Sequence, residues 1–360
     1  MTCFLTATAG FLPGDPIAND DIPSYLGTFE GEGETRKKIL RMNGIRTRHY
    51  ALDPDQNPTH DLYEMGAAAA ARCLEQRNPA QSLSYLSAGS TNAPLVGPGV
   101  SSILHSRLAD QGKLPHPVEI NSNAGICTAS AQALINGVRA VSSGEHRTAL
   151  CVGIEQPSDI LKSSVMAPPD DRAEHDDIRQ SKWFMSIFLR SMLSDGAGAF
   201  LLEDRQPESG LSFQVNWTYS RSFAHLAPLC MKLESGSLLL SQDVGILSEH
   251  LKPFTRTVVE EAFRTHDDDL STYQCVLPHL SSFFFKRYLL NVLREFCHGN
   301  PVPYWTNLET AGNTGAASIY LMLDEYLATH SPEDGDRIIL FIPESGQFNF
   351  ALVSLTAKRS

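Results

Sequence analysis

Short apolar runs alternate with longer stretches of helical composition along most of this 360-residue chain. The short runs are rich in Val, Leu, Ile, Phe and Cys and predict buried strands, whereas the longer stretches predict helices. The predicted strands are Ser82 to Ala88, Thr148 to Ile154, Gly198 to Leu202, Tyr273 to Leu277 and Arg337 to Ile342. The predicted helices are Leu62 to Gln76, Ala129 to Ser142, Glu249 to Arg264 and Ala316 to Thr329. Alternation of this kind indicates an α/β protein whose sheets are covered by helices.

A weak internal echo indicates a duplicated half-domain. Ala-Gly-Ile-Cys-Thr-Ala-Ser at residues 124–130 resembles Ala-Gly-Asn-Thr-Gly-Ala-Ala-Ser at residues 311–318, and a predicted helix follows each. The next predicted strands end in Gly-Ile-Glu at Glu155 and in Ile-Pro-Glu at Glu344. A repeat spaced by about 190 residues is a domain duplication rather than a solenoid array. We place the half-domains at 1–205 and 206–360, because the polar stretch Glu203 to Gly210 is the best candidate for a link.

Composition and charge restrict the functional class. The chain has 42% hydrophobic and 19% charged residues and a net charge of −12. Such an acidic chain disfavours general nucleic-acid binding, which needs a clustered basic surface. A local basic surface for an acidic partner could still form, and the alternative for each of its charges is a solvated helix face. Its residues would be Arg36, Lys37, Lys38, Arg41, Arg46 and Arg48.

The seven cysteines and the terminal segment indicate a cytoplasmic protein. The cysteines are scattered, without a Cys-x-x-Cys pair or a Cys/His ligand spacing, so we expect reduced thiols and no metal site. The N-terminal stretch lacks a basic leader before its apolar residues, and no run approaches the roughly 18 apolar residues that a membrane span requires. We therefore expect neither secretion nor membrane insertion.

Cys127 lies where a small-residue turn leads into the helix predicted from Ala129. The first turn of a helix leaves unpaired N–H groups and a partial positive charge, which favour a thiolate and predict a lowered pKa for the sulfur. A free cysteine is also commonly a small buried hydrophobe. Taken alone, Cys127 could be either a nucleophile or a core residue.

Four segments, in a fixed order, carry a resemblance to a known family. They are Cys127 at a helix start, Ser-Asp-Gly-Ala-Gly-Ala at 194–199, Pro278-His279, and Gly-Asn-Thr-Gly-Ala-Ala-Ser at 312–318. With Gly-Ile-Arg-Thr-Arg at 44–48, they resemble the β-ketoacyl-acyl-carrier-protein synthase III branch of the thiolase superfamily over nearly the whole chain. The resemblance implies a thiolase fold, with duplicated half-domains in a five-layered αβαβα arrangement, and a homodimer.

The resemblance makes Cys127 the acyl-accepting nucleophile and His279 and Asn313 its two partners. A thiolate attacks an acyl thioester to form an acyl-cysteine, and a carbanion from the second substrate then attacks that acyl group. Both steps place negative charge on a thioester oxygen, to which the imidazole N–H of His279 and the amide of Asn313 can donate. The structural alternatives are a hydrogen-bonded core histidine at a strand end and an asparagine that tolerates a left-handed backbone.

The C-terminal stretch disfavours two related reaction types. Degradative thiolases carry a second catalytic cysteine in a Cys-x-Gly motif near this point, and plant-type chalcone synthases carry a Gly-Phe-Gly-Pro-Gly loop. This chain has Pro-Glu-Ser-Gly-Gln-Phe at residues 343–348 instead. The Asp-Gly-Ala-Gly segment is interpreted as structural, with Asp195 building a turn together with Gly196 and Gly198.

Glu155, at the end of the strand predicted after the nucleophile helix, narrows the reaction further. Decarboxylating relatives generally have a small or neutral residue here, whereas a carboxylate near the thiolate can serve as a general base that removes a proton from carbon. The chain thereby resembles the ketosynthase-cyclases that form dialkylresorcinols and bacterial stilbenes from a β-ketoacyl thioester and an acyl thioester. The alternative for Glu155 is a structural carboxylate that caps the following turn through Ser158 or a backbone N–H.

Three other functions stay open: an ordinary decarboxylating synthase III, a non-catalytic partner subunit, and a hydroxymethylglutaryl-type synthase. In each enzymatic case the substrates ride on coenzyme A or an acyl carrier protein, so a carrier is the expected partner and no separate cofactor or metal is needed. Lys286 and Arg287 are further candidates for the carrier surface. Phe283 to Phe285 and Trp183-Phe184 shape either an acyl tunnel or the core, and Ser164 to Ile178 should be an exposed loop.

Overall fold

A nine-stranded mixed sheet runs through the computed structural model, which describes residues 2–76, 82–174, 177–234, 236–297, 299 and 302–360. The strands of this part of the chain are β1 (Cys3–Phe11), β2 (Ile17–Ala18), β3 (Thr47–Arg48), β4 (Tyr85–Ser90), β5 (Glu119–Ala124), β6 (Thr148–Glu155), β7 (Gly196–Glu203), β8 (Leu211–Ser222), β9 (Met231–Glu234), β10 (Leu239–Gln242), β11 (Cys275–Pro278), β12 (Arg337–Pro343) and β13 (Asn349–Arg359). The sheet order is β11-β12-β13-β8-β1-β7-β6-β4-β5, and β2 pairs with β3 and β9 with β10.

The helices alternate with these strands, as the sequence predicted for an α/β protein. They are α1 (Ile22–Leu26), α2 (Gly33–Asn43), α3 (Leu62–Glu75), α4 (Val100–Asp110), α5 (Ala129–Ser143), α6 (Ser158–Leu161), α7 (Lys182–Met192), α8 (Val244–Thr265), α9 (Lys286–Phe296), α10 (Leu308–Ala311) and α11 (Ser318–Thr329). Helix α8 begins five residues before the predicted start, because the side chain of Asp243 accepts the Ile246 N–H and caps it there. Residues Gly315–Ala317 form a 3-10 turn rather than the first turn of α11.

The two halves of the sheet repeat one topology. In the first half β4 is parallel to β5 and β6, while β6 and β7 are antiparallel, as are β7 and β1. In the second half β11 is parallel to β12, and Val276 of β11 also forms a parallel bridge with Tyr304. Strand β12 is antiparallel to β13, and β13 is antiparallel to β8. The halves join where Cys3–Leu5 of β1 pair with Phe213–Val215 of β8. The duplication that the echo predicted is therefore present in the strand order.

Three apolar clusters show the five layers of the thiolase arrangement. Helices α3 and α4 cover the outer face of the first-half strands, and α8 and α9 cover the outer face of the second-half strands. Helices α5 and α11 lie between the two sets of strands in a shared cluster. The boundary at 205/206 remains a prediction, although it falls in the connection between β7 and β8, where the first set of strands ends.

Gly89 of β4 sets how closely α5 approaches the sheet. A Cβ at Gly89 would lie 2.6 Å from the backbone nitrogen of Ser130, and backbone at a helix start cannot move aside as a flexible side chain can. We therefore expect Gly89→Ala to lower the free energy of unfolding by about 1–3 kcal/mol, the usual cost of overpacking. Gly33→Ala, where nothing lies within 4 Å of the added carbon, is the matched control. Equal stabilities of the two variants in denaturant unfolding would contradict this packing account.

Asp195 holds two loops rather than building a local turn, so that detail of the prediction was wrong. Its buried carboxylate accepts hydrogen bonds from the Ala51 N–H and from the N–H and hydroxyl of Ser158. Gly196 and Gly198 belong to β7, where they allow α11 to pack closely: a Cβ at Gly196 would lie 2.8 Å from the Leu321 side chain. The segment is structural, as predicted, but it is the start of a strand.

The remaining expectations about the chain concern its surface, thiols and helices. The stretch Ser164 to Ile178 is irregular, apart from a 3-10 turn at Arg172–Glu174 and the start of another at Ile178–Gln180; residues 175 and 176 lie outside the described part. All seven cysteines are free thiols, as predicted. Among the described residues, no helix is both long enough and apolar enough to cross a membrane.

Candidate active site

Cys127 lies in the turn between β5 and α5, one residue before the helix cap at Thr128. Its side chain is half-buried and lines two cavities, so it is reachable from inside the protein rather than packed away as a core residue. The other six cysteines are buried. This position fits the nucleophile interpretation of the sequence.

The predicted lowering of the Cys127 pKa was wrong. Burial raises the pKa of the Cys127 thiol well above its ordinary value, and the carboxylates of Glu344 and Glu155 raise it further. Besides burial, the expected effect of the helix start is lost, because Glu344 Oε2 accepts the N–H groups of Ile126 (3.2 Å) and Thr128 (3.0 Å) and the hydroxyl of Thr128. The N–H groups that were expected to stabilise a thiolate are thus already bound to a carboxylate.

His279 follows β11, and its backbone N–H donates to the carbonyl of Phe341 at 2.8 Å. The side chain is buried, yet neither ring nitrogen has a hydrogen-bond partner among the described residues. Burial lowers the pKa of His279 to about 4, so the imidazole is neutral at physiological pH. The alternative of a hydrogen-bonded core histidine is therefore wrong: the ring faces a cavity with a free N–H donor.

Asn313 is held by its backbone and oriented by its own side chain. Its N–H donates to the Met192 carbonyl, its carbonyl accepts from the Ser194 N–H, both at 2.9 Å, and its side-chain oxygen accepts the Gly315 N–H at 3.0 Å. Because the side-chain oxygen binds the Gly315 N–H, the NH₂ of the same planar amide points away from Gly315. The left-handed conformation occurs at Gly312 and Gly315 and not at Asn313, so the backbone explanation for this asparagine does not apply.

Glu155 ends β6 with a buried side chain. Its Oε1 accepts the N–H (2.8 Å) and the hydroxyl (2.5 Å) of Thr91, and a longer contact of 3.4 Å from the Ala316 N–H. The alternative prediction that Glu155 caps the following turn through Ser158 was wrong, because Ser158 donates to Asp195 instead. Burial raises the pKa of Glu155 to about 7 despite the donors from Thr91, and Asp195 adds to the rise.

Two cavities meet at Cys127 and bring the predicted site residues together. One contains Cys127 and His279 and extends between α8 and α9, lined by Leu247, Leu251, Thr255, Tyr288 and Leu289. The other contains Cys127, Glu155 and Asn313 and extends under the β9–β10 hairpin, lined by Ile160, Met192, Met231, Leu233 and Leu240. Gln242, Ser281 and Ser345 border both. The sulfur thus lies between a free imidazole on one side and a carboxyl and an amide on the other.

Sequence reasoning missed two parts of this site. Glu344 was noted only as the end of a strand, although its echo with Glu155 was a usable signal, since Glu155 ends β6 and Glu344 directly follows the equivalent strand β12. Gln242 carried no signal: it reaches the junction because the β9–β10 hairpin folds back, where its amide donates to the Ser345 hydroxyl at 2.9 Å.

The basic segment near the N-terminus is only partly a surface. Lys38 and Arg41 are exposed on α2. Arg48 is fully buried and donates to the Ser191 carbonyl, so the prediction that it belongs to a basic surface was wrong. Lys286 and Arg287 are exposed at the start of α9.

The aromatic candidates divide between core and cavity. Trp183 is buried in the core, as expected for most of them. Phe285 lines the His279 cavity, and together with Phe184 and Phe284 it also lines a third, outer cavity beside α2.

Within the described residues, Glu119, Glu145 and His146 bring three groups that could hold a metal to within 4.8 Å of one another. They lie at the opposite end of β5 from the Cys127 turn, where His146 and Glu119 are paired at 3.1 Å. This cluster therefore takes no part in the chemistry at the sulfur.

The chain is similar in sequence to β-ketoacyl-[acyl-carrier-protein] synthase III proteins. The chain is 24% identical over 347 residues to a β-ketoacyl-[acyl-carrier-protein] synthase III of Acholeplasma laidlawii and 25% identical over 341 residues to one of Xylella fastidiosa, in each case covering 93% of both proteins. No protein-family model matches the chain.

Solved structures share the fold over nearly the full length. The tetronic acid condensing enzyme AbyA1 superposes with a TM-score of 0.75 at 18% identity, covering 98% of this chain and 99% of that one. The 3-oxoacyl-(acyl carrier protein) synthase III of Pseudomonas aeruginosa gives 0.73 at 19% identity (99% and 98%), and OleA of Xanthomonas campestris gives 0.75 at 16% identity (99% and 98%).

Proposed function

We propose that this chain, which is similar to β-ketoacyl-[acyl-carrier-protein] synthase III proteins, is a ketosynthase that condenses a β-ketoacyl thioester with a second acyl thioester through an acyl-Cys127 intermediate. The condensed product then cyclises toward a dialkylresorcinol or stilbene precursor. The observation that carries this proposal is the pair of mainly apolar cavities that meet at the sulfur. The two cavities give two acyl thioesters separate approaches to the sulfur, one past His279 and one past Glu155 and Asn313.

The first half-reaction loads the acyl group on Cys127. The sulfur attacks the thioester carbon, the bond from carbon to the carrier sulfur breaks, and the thiol proton ends on the departing carrier thiol. The developing oxyanion accepts hydrogen bonds from the neutral imidazole of His279 and the NH₂ of Asn313. His279 is suited to this role because its ring is neutral and its nitrogens have no competing partner.

The second half-reaction activates the incoming carbon. The C–H bond between the ketone and the thioester of a β-ketoacyl substrate is acidic enough for a carboxylate to remove its proton without loss of CO₂. Glu155 lines the same cavity as Cys127 and Asn313, and its pKa of about 7 provides both a basic form and a useful proton affinity near neutral pH. The resulting carbanion attacks the acyl-cysteine and releases the Cys127 sulfur.

Decarboxylating synthase III activity is the second candidate, favoured by the similarity of this chain to two β-ketoacyl-[acyl-carrier-protein] synthase III proteins. In that case the carbanion arises by loss of CO₂ from a malonyl unit, and Glu155 serves only to hold Thr91. The two candidates share Cys127, His279 and Asn313 and differ in the requirement for a base.

Replacement of Glu155 by glutamine separates the two candidates. We expect Glu155→Gln to load an acyl group on Cys127 normally but to lose about 10²-fold or more in condensation with a β-ketoacyl thioester, the usual contribution of a general base. In the wild type the condensation rate should rise with pH through about 7, because the base must be ionised and its pKa is raised to that value. Rates are followed by mass spectrometry of the product.

Glu203→Gln is the control, a buried carboxyl at the end of β7 outside both cavities. Unchanged turnover of Glu155→Gln, together with a linear decarboxylated product from malonyl carrier protein, would replace the ring-forming proposal with the second candidate.

The carrier is proposed to approach the outer cavity beside α2. This cavity shares Gln242, Leu247 and Phe285 with the His279 cavity, which supports a route for a pantetheine arm. Exposed Lys38, Arg41, Lys286 and Arg287 lie on α2 and α9, and their charge suits an acidic acyl carrier protein or the phosphates of coenzyme A.

A homodimer in the cytoplasm completes the proposal. Strand β5 is the exposed edge of the sheet, with Ile120 43% exposed, and the nearby loop presents Val96 fully to solvent. An edge strand and exposed apolar side chains of this kind are features of a protein interface.

A further inference from the structure

Glu155 and Glu344 occupy equivalent places in the two halves. Glu155 is the last residue of β6, and Glu344 directly follows Pro343, the last residue of β12. By strand alternation both side chains belong to the face that packs against α5 and α11. Each carboxylate crosses to the other half: Glu155 contacts the Ala316 N–H before α11, and Glu344 contacts the turn before α5. The duplication has therefore placed two carboxylates at two helix starts, and both are near enough to Cys127 to raise the pKa of its thiol.

The two carboxylates are bound differently. Glu155 takes its two short hydrogen bonds from Thr91 of its own half, and its contact across the boundary is long. All hydrogen bonds that Glu344 accepts from the described residues come from the other half, from Ile126 and Thr128, which flank the nucleophile. Asn349 supports the same group by donating to the Thr128 hydroxyl at 2.8 Å. Glu344 is thus committed to the Cys127 turn.

We propose that Glu344 is a positioning residue that holds the Cys127 turn in place and sets a negative charge beside the sulfur. A carboxylate that binds the first N–H groups of a helix offsets their partial positive charge. The sulfur in this turn then faces negative charge instead of the positive end of the helix. This inference needs Cys127 as the nucleophile but is independent of the second substrate and of ring closure.

The groups around the sulfur agree with this assignment. Among the described residues, the titratable side chains around Cys127 include Glu344 after β12, Glu155 at the end of β6, and His279 and Tyr288, which line the same cavity as the sulfur. His279 is neutral, so it does not offset the two carboxylates. Burial is the largest cause of the raised pKa of the Cys127 thiol, and Glu344 is the larger of the two charged contributions.

Alkylation of the thiol by iodoacetamide across a pH series tests the proposal without any acyl substrate. In the wild type, labelling of the Cys127 peptide should have its midpoint above the ordinary cysteine value of about 8.5. Glu344→Gln keeps the size of the side chain and removes its charge, so the midpoint should fall by about one pH unit. Labelling at pH 7.5 should then rise up to about tenfold, since the thiolate fraction follows the midpoint.

Two further variants separate charge from shape. Glu344→Asp keeps the charge but shortens the side chain, so its midpoint should stay near the wild-type value while kcat falls because the turn is held less well. Glu325→Gln, which removes a carboxylate that accepts from Asn307 far from the cavities, should change neither quantity.

A folded Glu344→Gln protein with an unchanged or higher midpoint would overturn the proposal. A wild-type midpoint at or below about 8.5 would overturn it as well, whether or not that variant folds, because such a value is incompatible with a sulfur that faces uncompensated negative charge. Failure of the condensation assay would overturn the proposed function and leave this result intact.

Discussion

Replacing Cys127 with serine will abolish the acyl-enzyme and slow condensation by about a thousand-fold or more. A serine hydroxyl is a far weaker acid than a cysteine thiol and is a poor nucleophile without an activating base, and removal of a covalent nucleophile is among the most damaging changes an enzyme can undergo. Intact-mass spectrometry after incubation with an acyl thioester measures the adduct, and product formation measures turnover. The wild type should gain the mass of one acyl group, and Cys127→Ser should gain none.

Cys297→Ser provides the matched control, because Cys297 is a buried thiol at the end of α9 and lines neither cavity at Cys127. It should retain both the adduct and turnover. Acylation that persists in Cys127→Ser would show that another residue accepts the acyl group, and the assignment of the nucleophile would then be wrong.

Loss of either oxyanion donor is the second large expected effect. His279→Ala and Asn313→Ala should each lower kcat by about 10²–10³-fold, the cost of removing one such donor from a water-excluded site. The double variant should lose less than the product of the two, because donors that act on one oxyanion are not independent. The measurement is steady-state turnover with a saturating β-ketoacyl thioester.

The pH profile distinguishes the roles of His279 and Glu155. Folding lowers the pKa of His279 to about 4, so the imidazole is neutral from about pH 5 upward and contributes no change in rate there. The increase through about pH 7 belongs to Glu155 and should disappear in Glu155→Gln. A rate that instead falls as pH rises through 6 to 7 would mean that a protonated histidine is required, which contradicts the donor role of a neutral ring.

Sequence reasoning predicted the architecture well because its signals were local or repeated. The short apolar runs correspond to β4, β6, β7, β11 and β12, and the echo between residues 124–130 and 311–318 corresponds to the entries of α5 and α11. Boundaries shifted where side-chain contacts outweighed composition. Helix α8, for example, begins at the Asp243 cap rather than at the first strongly helical residues.

The sequence predicted those site residues that lie in local motifs. Cys127, His279 and Asn313 each follow a recognisable local pattern, and the structure places them around two joined cavities. The direction of the Cys127 pKa could not be predicted, because it depends on the burial of the thiol and on Glu344, which lies 216 positions away from Thr128 along the chain. The buried state of Arg48 depends in the same way on packing against a distant part of the chain, near Ser191.

The most direct test of the account is a two-step mass measurement on the wild-type protein. An acyl thioester alone should add one acyl group to the peptide that contains Cys127, and a β-ketoacyl thioester added next should remove it. The released product should contain the carbon atoms of both substrates, without loss of CO₂ in the condensation step. Failure of the adduct to form on Cys127, or its removal only by malonyl carrier protein with loss of CO₂, would contradict the two-acyl condensation proposed for this chain.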